Sequence, residues 1–334
     1  MSLTVPAEWA PHRAMWLGFP SHEDLWEENY EPAQREVAAL ALALSGPGRE
    51  QVRLLVCGEP AFAAARSLLG DVAGIELVRG RFGDIWLRDT GPIFLADGEA
   101  RPAAGFRVNG WGGKYILEGD EEVAVQIARA AGETLSAYDF VLEGGALDHD
   151  GAGVVLTTRQ CLLNPNRNRG WDKAQAEQAL RAALGTRKVL WLGEGLMNDH
   201  TDGHVDNLAR FVAPGVVACQ MAVGEDDPNA QAYAAAAQAL AAMTDVSGAP
   251  LKVVRIPSPG RVDDEDGEPI AASHMNFLIA NGAVIAPIYN ETAGRLMLEA
   301  LGRLFPGRQV IGLPSRAILT GGGSFHCITQ QEPA

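Results

Sequence analysis

Cysteine and long apolar runs are scarce in this sequence, and their scarcity excludes several classes of protein. Its four cysteines, Cys57, Cys161, Cys219 and Cys327, lie far apart, without a CxxC pair or a cysteine–histidine cluster at zinc spacing. No stretch approaches the roughly 18 uninterrupted apolar residues of a membrane span, and the N-terminal segment lacks the apolar core of a signal peptide. We therefore expect free thiols in a reducing cytoplasm, where one cysteine can be chemically special without disulfide competition.

Positive charge is also in short supply. The chain has 27 lysines and arginines against 42 aspartates and glutamates, so its net charge is −15 at pH 7. A surface this acidic repels nucleic acid and anionic membranes, and we expect neither as a partner. It tolerates or attracts a cationic ligand, although the charge would equally serve solubility alone. With 47% hydrophobic residues in 334, the chain should form a large core in one large domain or two medium ones.

No glycine/serine-rich or proline-rich linker divides the chain, and strand-like and helix-like segments alternate along it. The apolar run at 51–57 predicts a strand and the segment at 60–70 a helix, whereas 153–165 predicts a hairpin or strand pair. The segment at 274–290 predicts a hairpin that turns at Asn281-Gly282, the favoured type I′ pair. The acidic loop at 258–269 is long enough to be a lid, but a solvated surface loop is the favoured interpretation.

A glycine-rich or polar segment closes each block of strands and helix. These segments are LRDTGP (87–92), LEGGAL (142–147), DGHVDN (202–207), SHMNF (273–277) and TGGGSFHC (320–327). One such segment in roughly every 60–70 residues indicates a repeat architecture. Five ββαβ-like blocks would close into a ring with the polar strand ends on its axis. The alternative, a doubly wound parallel sheet, is disfavoured because no GxGxxG or GxxxxGKS motif follows a strand.

The closing segments carry a cysteine, a histidine and carboxylates, which together suit nucleophilic catalysis. Alone, Cys327 would be a buried free thiol and His204 a satisfied core histidine. His204 and Asp206 are two residues apart, so on a strand both would face one cavity. A carboxylate on that face is costly to bury unless it is paired, which favours a functional site.

Two further carboxylates have competing interpretations. Glu143 precedes Gly144-Gly145, so it is either a surface residue at a glycine turn or an inward carboxylate where bare backbone passes close to a ligand. Asp89 follows an apolar run and is either half of a surface ion pair with Arg88 or a site residue. The other three cysteines each lie in an apolar strand-like run, and we expect them to be buried thiols without polar neighbours.

In combination, the motifs resemble the agmatine deiminase and bacterial-type peptidylarginine deiminase family of the guanidine-modifying pentein superfamily. The resemblance runs from PAEWAPHRAMWLGFP (6–20) through WLRDTGP, LEGGALDHDGAG, CLLNPNRNRGWDK and NDHTDGHVDNLARF to GGGSFHCITQQ, and so covers essentially the whole chain. It implies an α/β fold, a five-bladed, pseudo-fivefold propeller, with residues 1–334 as one domain. It also implies a reaction without a metal or organic cofactor, and it leaves a homo-oligomer open.

The resemblance implies a role for each motif residue. Cys327 would be the nucleophile and His204 the general acid/base. Glu143 would partner that histidine or the guanidinium, and Asp89 and Asp206 would hold the guanidinium nitrogens. This assignment is chemically sensible, because a planar guanidinium gripped in its plane by carboxylates leaves its carbon open to a thiolate from above.

The resemblance is closest to agmatine deiminases, which implies agmatine as substrate and N-carbamoylputrescine as product. Trp86 would line the pocket and Asn276 would lie near it. His200 stands four residues before His204, where some members carry an acidic residue, and is a poorer partner for the ammonium of agmatine. His326, next to the nucleophile in an expected extended stretch, should point away from the site.

Alternative activities are deimination of a C-terminal peptidylarginine or another small guanidine, and amidino transfer to an amine. A non-catalytic protein that binds a cationic ligand is the least favoured alternative, because the nucleophile and base are intact.

Overall fold

The fold is known from a computed structural model that describes residues 3–98 and 100–334. The strands are β1 (His12–Gly18), β2 (Val52–Val56), β3 (Ile75–Arg79), β4 (Ile93–Phe94), β5 (Ala103–Arg107), β6 (Leu135–Val141), β7 (Asp148–His149), β8 (Val154–Thr158), β9 (Lys188–Leu192), β10 (Ala209–Ala213), β11 (Val216–Met221), β12 (Lys252–Pro257), β13 (Leu278–Ile279), β14 (Ala283–Ile288), β15 (Gln309–Pro314) and β16 (Thr329–Pro333).

Helices separate many of these strands. The α-helices are α1 (Glu23–Trp26), α2 (Tyr30–Ser45), α3 (Glu59–Leu69), α4 (Leu87–Thr90), α5 (Gly110–Gly113), α6 (Val123–Ala131), α7 (Arg159–Leu162), α8 (Lys173–Leu184), α9 (Ala230–Ala241), α10 (Glu291–Leu304) and α11 (Arg316–Thr320). Short 3₁₀ helices span Glu27–Asn29, Asp120–Glu122, Gly144–Ala146 and Val205–Asn207. None of the helices in the described ranges is long and apolar enough to cross a membrane.

The strands form five small sheets with one recurring topology. In each sheet a strand pairs antiparallel with one neighbour and parallel with the other, as β5 does with β4 and β6, and β14 with β13 and β15. The parallel pairs are joined through helices α2, α3, α6, α8, α9 and α10, as a parallel connection requires, and α3 joins the additional pair β2–β3 of the first sheet. These are the five ββαβ blocks that the spacing of the polar segments predicted.

The first sheet closes the ring, because it combines both ends of the chain. Its strand order is β16-β1-β2-β3, with β16 antiparallel to β1 through the pairs Trp16–Gln330 and Leu17–Thr329. Buried Glu332 on β16 strengthens this junction by accepting hydrogen bonds from Trp16 Nε1 (2.9 Å) and Arg53 Nη1 (3.0 Å). The last strand, which follows Cys327 directly, is therefore fixed by residues from the beginning of the sequence.

Helix α8 shows how local sequence sets the ends of an element. The Asp172 side chain accepts a hydrogen bond from the Gln175 N–H (2.9 Å), and the Gln175 side chain accepts one from the Asp172 N–H (2.9 Å). This reciprocal capping box satisfies backbone donors that the first turn leaves free. The helix ends before Gly185, which adopts φ 67°, a conformation that glycine tolerates best.

Two local expectations were wrong. The hairpin at Asn281-Gly282 forms, but neither residue has a positive φ, so the turn is not type I′. The Asn281 side chain instead bonds the backbone N–H and carbonyl of His12 (2.9 and 3.0 Å), which restrains its conformation. The segment 153–165 forms one strand and helix α7 rather than two strands, since the Thr158 hydroxyl caps the N–H of Cys161 (3.2 Å).

Helix α2 buries its apolar face in the largest core cluster, and this face predicts a measurable asymmetry in stability. Leu40 is fully buried, whereas Leu42 on the opposite face is 41% exposed. Because Leu40→Ala leaves a cavity, we expect it to lower the free energy of unfolding by about 2–5 kcal/mol. Leu42→Ala should change it by less than about 0.5 kcal/mol. Urea unfolding followed by circular dichroism measures both, and equal losses would contradict this packing.

Candidate active site

A cavity of about 240 Å³ gathers residues from several of the closing segments. It is lined by Leu25, Asp84, Trp86, Asp89, Trp111, Tyr115, Leu117, His200, Thr201, Thr320, Gly321, Gly322 and Cys327. Trp86 forms part of the wall, stacked on Trp26 at 6.1 Å between ring centroids, and its Nε1 donates to Asp84 (2.8 Å). Aromatic walls with a few inward polar groups are typical of small-molecule sites.

Cys327 lies at the bottom of this cavity, in the turns between α11 and β16. Its Sγ is 3.7 Å from Asp206 Oδ2, and its backbone N–H donates to Asn276 Oδ1 (3.2 Å). Burial raises the pKa of the Cys327 thiol well above its usual range, and the Asp206 and Asp89 carboxylates raise it further. The sulfur is therefore a protonated thiol at neutral pH until a positive charge enters the cavity.

The glycines before the nucleophile are required by close approach. A Cβ atom added to Gly323 would lie 2.6 Å from the Trp86 ring and 3.1 Å from Cys327 Sγ. Both distances are shorter than such contacts normally allow. Because Gly323 has no side chain, the Trp86 ring and the Cys327 thiol can both lie against it.

His204 does not lie on a strand, contrary to expectation. It precedes the 3₁₀ turn Val205–Asn207, and this turn brings both His204 and Asp206 to the site without strand alternation. His204 Nδ1 is 3.7 Å from Asp89 Oδ1. Burial opposes the charged imidazole, but Asp89 and the Cys161 thiol outweigh it and raise the pKa of His204 well above its ordinary value. The histidine is thus set to be a proton donor.

The two aspartates nearest the thiol differ in their surroundings. Asp89 accepts hydrogen bonds from the Gly145 N–H (2.9 Å) and from Trp111 Nε1 (2.8 Å), and burial raises its pKa. Asp206 is fully buried, yet its pKa is lowered, because hydrogen bonding to His326 outweighs the effect of burial. Within the described residues, Asp206 Oδ1 is buried and has no hydrogen-bond partner, whereas Oδ2 is the oxygen that lies 3.7 Å from Cys327 Sγ.

The surface interpretations of Asp89 and Glu143 do not hold, because both side chains are buried. Arg88 is buried too, and bonds Gln330 Oε1 (2.9 Å) rather than Asp89. Glu143 pairs instead with Arg167, whose Nε donates to Glu143 Oε1 (2.7 Å).

Arg167 was not predicted as a site residue. Its guanidinium also contacts Asp202 and donates to the Thr201 carbonyl (2.8 Å), so it fixes the chain just before His204. The only sequence signal was an arginine in the asparagine-rich segment NPNRNRG.

Cys161 has polar neighbours, contrary to expectation. Because it lies on α7 rather than on a strand, its sulfur is close to His204 and Glu143, with one ligand atom of each residue within 4.8 Å of the others. In the described parts of the chain this is the one group of three potential metal ligands. The donor set does not suit a divalent cation, since Arg167 already neutralises Glu143 and His204 favours its charged form.

His326 does not point away into unrelated structure, as an extended segment would require. Residues 321–328 form successive turns, with the Ile328 N–H bonded to the Ser324 carbonyl (3.3 Å) and the Thr329 N–H to the His326 carbonyl (3.2 Å). Neighbouring side chains therefore do not alternate. The His326 ring lies against Asp206, on the side away from the cavity lining.

The remaining two predicted residues lie in different places. Asn276 is behind the nucleophile rather than in the cavity wall, and its Nδ2 donates to Asn207 Oδ1 (2.5 Å). His200 lines the cavity, stacks on Tyr115 at 5.7 Å and shares a hydrogen bond between Nδ1 and the Tyr115 hydroxyl (2.9 Å).

His200 and Tyr115 also border a larger outer chamber of about 1130 Å³, which includes part of the acidic 258–269 loop. Other acidic residues of that chamber are Glu28, Glu36 and Asp199. Its field favours the approach of cations.

A five-sheet ring with a cysteine, a histidine and carboxylates near one cavity is the pentein architecture. The enzyme DDAH of Pseudomonas aeruginosa shares this fold, with a TM-score of 0.53 at 13% identity over 96% of this chain and 99% of that one. The family model described as Porphyromonas-type peptidyl-arginine deiminase matches residues 4–333, and the chain belongs to that family.

Two relatives match over nearly their full length. The agmatine deiminase of Stutzerimonas stutzeri is 39% identical over 357 residues, which covers 99% of this chain and 95% of that protein. The solved agmatine deiminase of Enterococcus faecalis superposes with a TM-score of 0.93 at 34% identity and covers 99% of this chain and 96% of that one. The predicted α/β propeller and family are thereby confirmed.

The raised pKa of Cys327 predicts how the free protein reacts with iodoacetamide. We expect alkylation of Cys327 at neutral pH to be slower than that of an ordinary exposed thiol and to increase beyond about pH 8.5, the usual cysteine pKa. Peptide mass spectrometry measures it, with Cys327→Ser as the control for Cys57, Cys161 and Cys219. Half-maximal reactivity at or below neutral pH would contradict this electrostatic environment.

Proposed function

We propose that this protein hydrolyses the guanidinium group of agmatine to N-carbamoylputrescine and ammonia. One observation carries the proposal: the Cys327 thiol is 3.7 Å from the buried carboxylate of Asp206 and lines one cavity with Asp89, which His204 Nδ1 approaches to 3.7 Å. The full-length similarity to agmatine deiminases supports the same reaction. The enzyme is thus a hydrolase of C–N bonds in linear amidines.

Binding begins with the charge of the substrate. The guanidinium presents a planar fork of N–H donors, which Asp206 Oδ1 and Asp89 accept as charge-assisted hydrogen bonds. The cation also offsets the two carboxylates that raise the pKa of Cys327, so the thiol releases its proton to solvent when the substrate arrives. Substrate binding and nucleophile activation are one event in this scheme.

The thiolate then attacks the guanidinium carbon and forms a tetrahedral adduct. His204 gives its proton to one amino group, and ammonia leaves as the C–N bond breaks. The amidino-cysteine that remains is attacked by water, which gives a proton back to His204. Collapse of the second adduct breaks the C–S bond and releases the ureido product.

Glu143 supports this proton transfer without contacting the cavity. Its carboxylate contributes to the raised pKa of His204, after Asp89 and Cys161, and Arg167 holds it in place (2.7 Å). Residues 1–334 act as one domain in this proposal, because both chain ends share the sheet that positions Cys327.

Agmatine fits the outer chamber better than arginine does. Its far end is an ammonium group, and the chamber beyond His200 carries Glu36, Asp199 and the acidic residues of the 258–269 loop. The carboxylate of arginine would meet this negative field. His200 lacks the carboxylate charge that would pair with the ammonium, so the wider acidic lining supplies most of the attraction.

Loss of the nucleophile or base tests the reaction itself. Cys327→Ala should abolish ammonia release from agmatine, and His204→Ala should lower kcat by about 10²–10⁴-fold because acid/base catalysis is lost. Ammonia release and mass spectrometry of a quenched amidino adduct are the measurements, with Cys219→Ala as a matched buried-thiol control. No ammonia and no adduct from the wild type would refute a hydrolase. An adduct whose amidino group passes to added amines would instead indicate a transferase.

Comparison of substrates tests the assignment to agmatine. Because of the acidic chamber, we expect kcat/KM for agmatine to exceed that for free arginine and for a C-terminal arginyl peptide by at least about tenfold, or about 1.4 kcal/mol. Steady-state ammonia assays at one pH and ionic strength give the three values. A tenfold preference for either arginine compound would overturn the assignment and leave guanidine hydrolysis intact.

A further inference from the structure

Behind the cavity, one histidine is held between two buried carboxylates. His326 Nδ1 is 2.7 Å from Asp206 Oδ2, and His326 Nε2 is 3.2 Å from Glu8 Oε2. The three side chains are almost completely excluded from solvent. Glu8 belongs to the N-terminal segment before β1, so this contact ties the beginning of the chain to the residue beside the nucleophile.

Both carboxylates in this row are ionised. Burial would raise the pKa of Glu8, but Arg210 and His326 hold it far below its usual value. Burial is likewise outweighed at Asp206, mainly by the hydrogen bond from His326. A carboxylate only accepts, so the ring nitrogens of His326 are the donors in both contacts, an arrangement that suits an imidazolium.

We propose that His326, braced by Glu8, is a positioning residue that keeps Asp206 ionised and aims its free Oδ1 at the substrate guanidinium. The inference rests on the proposed function, because it gives Asp206 the role of substrate clamp. His326 occupies Oδ2, the oxygen that also faces Cys327 Sγ, and Oδ1 has no partner among the described residues. The ring is covalently next to Cys327, so one short segment fixes both the clamp and the sulfur.

Other charged groups surround the row formed by Asp206, His326 and Glu8. The Asp206 carboxylate lies 3.7 Å from Cys327 Sγ and interacts electrostatically with His204, Arg210 and Asp89. The Glu8 carboxylate interacts electrostatically with Arg210, Arg88 and Arg308. Arg210 is in turn held by Asp148 (3.2 Å). Of these groups, only His326 donates a hydrogen bond to Asp206 from a charged side chain, so its loss should act on Asp206 most directly.

His326→Asn provides the sharpest variant. Asparagine retains an N–H near the position of Nδ1 but lacks the charge and the link to Glu8. The matched control is His12→Asn, which removes another buried histidine–glutamate contact, His12 Nδ1 to Glu50 Oε1 (3.0 Å), without touching Asp206. Thermal unfolding of both variants separates damage to the fold from damage to the site.

Kinetics of agmatine hydrolysis give the first result. We expect kcat/KM of His326→Asn to fall about 10- to 100-fold, mainly through KM, while His12→Asn stays near wild type. Without His326 the pKa of Asp206 rises, so the acid limb of the kcat/KM profile should move to higher pH. An unmoved acid limb together with wild-type kcat/KM would overturn the proposal. A wild type inactive on every guanidine would instead refute the proposed function.

The charge of His326 can be measured without activity. Two-bond ¹H–¹⁵N spectra of ¹⁵N-labelled protein should show His326 as an imidazolium at pH 7, assigned by the signal missing from His326→Asn. A neutral tautomer would overturn the proposal whatever the kinetics. Glu8→Gln supplies a second test: where it folds, kcat/KM should fall in the same direction as in His326→Asn, and an unchanged kcat/KM would count against a supporting role for Glu8.

Discussion

Two buried carboxylates, Asp89 and Asp206, lie near the Cys327 thiol, and much of the centre serves to make their burial tolerable. An unpaired buried carboxylate is costly, so each has dedicated partners. Asp89 accepts hydrogen bonds from the Gly145 N–H and the Trp111 indole, and Asp206 accepts one from His326. In the proposed reaction the substrate adds a planar cation to this arrangement, and the acidic outer chamber favours its approach.

The geometry of that cavity depends on contacts that are distant in sequence. Cys327 is held by its own N–H on Asn276, and the strand that follows it pairs with β1 from the start of the chain. Glu332 reinforces this pairing through Trp16 and Arg53. The contacts that stabilise the ring therefore also position the nucleophile. A loosened β16 would move the Cys327 sulfur relative to Asp206.

Periodicity predicted the blades because strands and helices here follow their local apolar patterns, and the polar segments between them marked five repeats. The site was harder to predict where backbone turns replace regular structure. His204, Asp206 and His326 lie in turns, so rules of strand alternation gave the wrong reason for all three, although His326 does lie outside the cavity lining. The partnership of Glu143 with Arg167 depends on two segments meeting in space, and no local spacing encodes it.

The raised pKa of Cys327 connects this electrostatic arrangement to turnover. In the proposed reaction the substrate is a cation and the ureido product is neutral. The cation relieves the repulsion that keeps the thiol protonated, so only a charged ligand creates the nucleophile. The product has lost that charge and with it the charge-assisted bonds to Asp89 and Asp206. It therefore binds more weakly than the substrate, and the carboxylates that activate the sulfur also favour release once the C–N bond has been broken.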